Sequence, residues 1–151
     1  MSDKLARLFA TFFYIGDIPI APGSAASFAG MLIWIILYKV PVIFILLMIA
    51  ITVLGFVVST PAEKASKEKD PSFIVIDEVS GVMISFLFLP LSVPVLVTTF
   101  FLFRAFDMFK LYPVNKFEEI EGGAGIMMDD IIAGIYTNLT MQVAIRWAGI
   151  V

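Results

Sequence analysis

At 151 residues the chain has the length of one domain, yet 60% of it is hydrophobic and 15% charged, with a mean hydropathy of +1.00; a water-soluble surface is excluded and the bilayer is the natural solvent. The absence of both cysteine and histidine excludes disulfides, thiolate or imidazole metal sites, Ser-His-Asp triads and histidine phospho-intermediates. A formal charge of −3 with no basic patch leaves no electrostatic footprint for nucleic acid.

The N-terminal stretch Met1–Tyr14 interleaves Lys and Arg with aromatics and lacks a small-residue cleavage pattern, so no signal peptide is expected. Leu5–Phe13 reads as an amphipathic helix lying in the membrane interface. Ala21–Ser27 (APGSAAS) is small, polar and turn-like. Its amides and the hydroxyls of Ser24 and Ser27 could receive a phosphate oxygen at a helix N-terminus; equally, either serine could be an ordinary N-cap. No P-loop lysine follows, so nucleotide binding is not indicated.

Five apolar runs come next. Ala25–Tyr38 is short for a bilayer crossing, which takes roughly 20 residues, and Val42–Ser59 is the cleanest. The charged loop Pro61–Ser72 leads to Phe73–Leu89, which is apolar apart from Asp77, Glu78 and a few small residues. Leu91–Phe109 is interrupted by Arg104 and Asp107. A second charged loop, Tyr112–Gly123, precedes Ala124–Trp147, which contains Asp129, Asp130 and Arg146. The expected fold is all-α: a polytopic membrane helix bundle of about four to five transmembrane helices plus the N-terminal amphipathic helix, forming one domain over residues 1–151.

With a cytoplasmic N-terminus, Lys4, Arg7, Lys64, Lys67, Lys69, Lys110 and Lys116 fall on the cytoplasmic side, and only Lys39 and Arg146 on the other. That topology brings Pro22–Ser27, Asp77/Glu78, Arg104–Asp107–Lys110 and Asp129/Asp130 to one membrane level. A single site is expected there.

Asp77 and Glu78 are expected a turn or more inside an apolar helix, where a carboxylate costs up to about 2.5–3.5 kcal/mol on insertion scales. Such a pair needs a compensating cation, either a metal or a structural partner such as Arg104 or Lys110. Asp129 and Asp130 open another apolar helix after paired glycines; the macrodipole alone would favour one such acid. Two acidic pairs facing each other suggest Mg²⁺, a hard ion that keeps several waters and takes further ligands from phosphate. Arg104, Asp107 and Lys110 recur at spacings of three along one helix side. They form either an ion-pair ladder or a phosphate clamp, with Arg as a fork and Lys as a point charge. Asp17 and the Glu118–Glu119–Glu121 run read as solvated.

Taken in order, Lys69-Asp70-Pro71-Ser72, Ile76-Asp77-Glu78 with Gly81, Phe103-Arg104-Ala105-Phe106-Asp107 with Lys110 and Pro113, and Gly122-Gly123 through Gly125-Ile126-Met127 to Asp129-Asp130 and Ala133-Gly134 resemble the phosphatidylglycerophosphatase A family. Order and spacing hold from about Pro22 to Gly134. The family's PGT-x-GS block stands here as Pro22-Gly23-Ser24-Ala25-Ala26-Ser27, with Ala26 for the second glycine, and its Lys-Pro-x-Pro as Lys110-Leu111-Tyr112-Pro113.

The resemblance implies Mg²⁺-dependent removal of the terminal phosphate of phosphatidylglycerophosphate, giving phosphatidylglycerol, by a multi-pass protein of the bacterial inner membrane whose site faces the cytoplasm. On this basis Asp77, Glu78, Asp129 and Asp130 are expected to hold metal. Arg104, Lys110, Ser24, Ser27 and Lys69 are expected to bind the substrate phosphate, and Asp107 to orient Arg104 or join the metal shell. The expected partner is the phospholipid substrate, with no nucleic acid. The alternative is a small divalent-cation or proton-coupled transporter, since buried carboxylates also mark ion pathways.

Overall fold

A computed structural model of the chain describes residues 3–109, 112, 120 and 122–149. Among them are six α-helices, a short 3-10 turn at Ile15–Asp17, and no strands. The helices are α1 (Asp3–Ala10), α2 (Pro22–Leu37), α3 (Pro41–Ser66), α4 (Ile76–Ser85), α5 (Val93–Phe109) and α6 (Gly123–Ala148). The all-α expectation holds, and the five apolar runs each carry one of α2 to α6. Proline stands at the start of α2 and of α3, where its missing N–H costs nothing and its fixed φ suits a first turn.

Helix α3 is long and apolar enough to cross a membrane, and α2 is apolar but shorter. The charged loop expected from Pro61 begins later, because α3 runs through Pro61 to Ser66. An interior proline removes a backbone bond, but α1 packs on this end of α3, burying Ala6 and Ala10 from one side and Ala62 from the other.

The expected span Phe73–Leu89 is corrected most. Only Ile76–Ser85 is helical, about 15 Å at 1.5 Å per residue, roughly half the hydrocarbon thickness. Its start is delayed because a turn closes from the Ile74 amide to the Pro71 carbonyl (2.9 Å) and the Val75 amide is bound to the Ala10 carbonyl (2.9 Å). Its end is set by turns over Phe86–Leu89, a left-handed Phe88 (φ 60°) and Pro90. Helix α4 lies at the centre of the bundle, packed against α2, α3, α5 and α6, and eight of its ten residues are buried.

The N-terminal segment brackets the approach to α4. Arg7 lies over the Phe73 ring, 4.6 Å from its centroid, and pairs with Asp17 at 2.7 Å. Asp17, expected to be solvated, is exposed and also ties α1 to the 3-10 turn. The amphipathic character expected of Leu5–Phe13 resides in Asp3–Ala10, whose small residues face α3.

Two helices run parallel to α4. Gly23, Gly30 and Trp34 of α2 lie beside Glu78, Val82 and Phe86 in turn, while Gly81 meets α6 at Asp130 and Gly134. The N-termini of α2, α4 and α6 and the C-terminus of α5 therefore share one end of the bundle. The α2–α3 connection and Phe86–Leu89 share the other, around an apolar cavity of about 340 Å³ lined by Trp34, Tyr38, Phe44 and Phe88 among others.

Candidate metal and phosphate site

Asp77 and Glu78 occupy the first turn of α4, nearer its start than expected, because Val75 is held outside the helix. There the positive end of the helix dipole favours them. Asp129 and Asp130 instead sit nearly two turns inside α6, which begins at Gly123. The dipole falls off within the first turn, so it cannot account for this pair.

Helix α6 is fixed at its start by Thr60, whose hydroxyl accepts the Gly123 amide at 2.9 Å. Gly122 holds a positive φ of 82°, a conformation that glycine adopts without strain. A side chain at Gly123 would run into the Thr60 backbone, so α6 starts flush against α3.

One oxygen each from Asp77, Glu78 and Asp130 lie within 4.8 Å of one another. Asp129 is buried in the wall of the same cleft, which measures about 240 Å³ and is also lined by Asp70, Ser72 and Asp107. Six carboxyl groups therefore face one small space, and among the described residues no Lys or Arg lines it. Asp77 Oδ1, Glu78 Oε2 and Asp130 Oδ2 are buried with no hydrogen-bond partner. Buried anionic oxygens without partners are strongly unfavourable unless a cation answers them. Hard oxygen donors converging from two helices fit a divalent metal ion.

Arg104 stands at the margin. Its Nη1 meets Asp107 Oδ2 at 2.6 Å and donates to Ser27 Oγ at 3.4 Å, and its Nε is buried without a partner. The Asp107 carboxyl also meets that of Asp130, so it links the guanidinium to the acidic cluster. Ser27 donates to the Gly23 carbonyl at 2.8 Å, one turn inside α2 and not at its N-cap, which is Ala21. Ser24 is half-buried on the first turn of α2. Gly23 is pressed against Glu78 and Arg104, leaving no room for a Cβ.

The sequence-expected residues divide accordingly. Asp77, Glu78, Asp107, Asp129 and Asp130 share the cleft, with Arg104 and Ser27 against it. Lys69 lines a separate, wider cavity of about 550 Å³ with Thr60, Glu63, Lys64, Lys67, Glu68 and Gly122. Lys110 and the Glu118–Glu119–Glu121 run lie outside the described residues. Asp70 and Ser72, which the sequence marks only as the end of a charged loop, also line the cleft. Their place in the cleft depends on the chain reversing between α3 and α4, which Asp-Pro-Ser hints at but does not specify.

A family model described as phosphatidylglycerophosphatase A matches residues 8–145. A Bacteroides thetaiotaomicron protein, whose name phosphatidylinositol-3-phosphatase is given provisionally, is 38% identical over 95% of this chain and 94% of its own length. The phosphatidylglycerophosphatase A of Haemophilus influenzae is 34% identical over 93% of this chain and 89% of its own. That of Escherichia coli is 33% identical over 85% and 77%. No solved structure matches the chain.

Proposed function

Because this chain belongs to the phosphatidylglycerophosphatase A family, we propose that it is a Mg²⁺-dependent lipid phosphatase, hydrolysing phosphatidylglycerophosphate to phosphatidylglycerol and inorganic phosphate. The observation that carries this function is the convergence of Asp77, Glu78 and Asp130, with unpartnered buried oxygens, beside an Arg104 that retains a buried free donor. The fold works as a single membrane-embedded domain in the bacterial inner membrane, with its acidic end toward the cytoplasm. Exposed apolar side chains such as Ile36, Val53, Phe101 and Leu139 support lipid contact around α2, α3, α5 and α6. These four helices cross the bilayer, and α4 with its turn-rich continuation makes a fifth, irregular passage.

Asp77, Glu78 and Asp130 would hold the ion, with Asp129 supporting it from the same wall. Bound there, Mg²⁺ would neutralise phosphate charge and acidify a water molecule. Arg104, held by Asp107 and Ser27, presents its remaining donors to the non-bridging phosphate oxygens and stabilises charge that grows in the transition state. Ser24, on the first turn of α2, would offer its hydroxyl to the phosphate, and the positive charges of Lys69 and Lys110 would attract the anionic headgroup. Attack by a water oxygen forms the new bond to phosphorus as the ester P–O bond breaks. With no histidine in the chain, a cleft carboxyl group takes the water proton and returns one to the leaving glycerol oxygen. The acyl chains stay in lipid throughout.

The decisive measurement is phosphate release by the purified protein in detergent, with Mg²⁺ and after EDTA. Asp77→Asn and Asp130→Asn should each lose activity by roughly a thousandfold while remaining folded. Full turnover by both variants, or by EDTA-treated enzyme, refutes the assignment. The Bacteroides relative's name makes phosphatidylinositol 3-phosphate an alternative substrate. Offering both lipids at equal surface concentration decides between them.

A further inference from the structure

Helices α4 and α6 meet along a single row. Asp77 joins Asp130 in the acidic cluster, Gly81 lies against Gly134, and the Ser85 carbonyl accepts from Asn138 Nδ2 at 3.0 Å. Each partner lies 53 positions further along the chain, and successive pairs are four residues apart. Residues at i, i+4 and i+8 share one helix face, so the two parallel helices stay in one register for about 12 Å.

The middle of this row cannot fix that register. A Cβ on either glycine would strike the backbone of the other helix, so the glycines set how closely the helices approach. They provide no side chain to stop one helix sliding along the other. At the acidic end the two helices face each other through like carboxyl groups, which do not clasp one helix to the other. Among the described residues, the side-chain hydrogen bonds between the two segments are at the far end, where Asn138 Nδ2 also donates to the Leu87 carbonyl at 2.7 Å and Gln142 Nε2 reaches that carbonyl at 3.4 Å. These carbonyls belong to the last residue of α4 and to the turn that follows it, and in an apolar surround they need a partner.

We propose that Asn138 is a positioning residue for the metal site: its amide fixes the height of α4 against α6, and so the spacing of Asp77 and Glu78 from Asp130 two turns away. This inference rests on the metal-dependent function proposed above. Thr52 supplies a contrast, because its hydroxyl also anchors α4, meeting Ser80 Oγ at 2.7 Å, but it stands on α3, which carries none of the clustered carboxylates.

The test is Mn²⁺ binding to the purified protein without substrate, followed by electron paramagnetic resonance, beside thermal unfolding and the Mg²⁺ dependence of phosphate release. Asn138→Leu should weaken Mn²⁺ binding about tenfold or more and raise the half-saturating Mg²⁺ concentration in parallel, with most of kcat regained at saturating metal. Asn138→Gln, which keeps the amide, should restore most of the affinity. Thr52→Val should lower the unfolding temperature and leave Mn²⁺ affinity unchanged.

Wild-type affinity in Asn138→Leu, or an equal loss in Thr52→Val, overturns the proposal. Should Asn138→Leu not fold, Gln142→Leu carries the test: a smaller shift in the same direction supports it, and no shift overturns it. Loss of Mn²⁺ in Asp130→Asn but not in Asn138→Leu refutes this inference alone. Failure of the wild type to bind Mn²⁺ refutes the metal site and the inference with it.

Discussion

Gly81→Ala places one methyl group at the narrowest point between α4 and α6. A Cβ there would lie 2.6 Å from the Asp130 carbonyl oxygen and 2.8 Å from two ring carbons of Phe103, whereas ordinary contact begins at 3.4 Å. The α6 backbone must therefore withdraw by about 0.8 Å, since Phe103 is fully buried and has nowhere to turn. Overpacking of this kind costs about 1–3 kcal/mol, and the better helix propensity of alanine returns up to about 1 kcal/mol. The protein should stay folded, with an unfolding midpoint lowered by a few degrees. The displaced backbone is that of Asp130 itself, whose carboxyl group meets Asp77 one turn before Gly81. A shift near 1 Å at a reacting centre costs about a hundredfold in rate. Phosphate release in detergent micelles, measured beside tryptophan-monitored thermal unfolding, should show that loss in a folded enzyme. Wild-type turnover from stably folded Gly81→Ala would mean that this interface does not set the carboxylate spacing.

Two further outcomes follow from the same geometry. Arg104→Lys leaves a single ammonium where Nη1 meets Asp107 and Ser27 and removes the other guanidinium donors, and kcat/KM should fall by about a hundredfold; steady-state kinetics showing no change would remove Arg104 from phosphate binding. Thr60→Val deprives the Gly123 amide of its acceptor, which should destabilise the fold by about 1 kcal/mol. An unaltered unfolding midpoint in that variant would show that the contact does not hold α6.

The acidic cluster was legible in the sequence because charge in an apolar run is conspicuous: Asp77, Glu78, Asp130 and Arg104 each interrupt hydrocarbon. The five helical segments were legible for the complementary reason, sustained apolarity with proline at two starts. Helix α4 was not, since Phe73–Leu89 has the composition of a span. What shortens it is the bond from Val75 to Ala10, a partner 65 residues away, and a left-handed Phe88 that no residue type announces. Pro61 misled in the opposite sense, because packing by α1 outweighs a local rule. Asn138 passed unnoticed because a neutral amide barely alters hydropathy, and its meaning depends on which carbonyls a neighbouring helix leaves open.

The open end of α4 also makes its closure depend on a later part of the chain. The amide that closes it belongs to α6, which leaves the ribosome later. Until α6 emerges, α4 combines an acidic first turn with exposed carbonyls, and both favour the water-facing border over hydrocarbon. Helix α3, long and apolar enough to cross a membrane, carries no such burden. The receptacle for that acid-bearing wedge is complete only when α6 is in place.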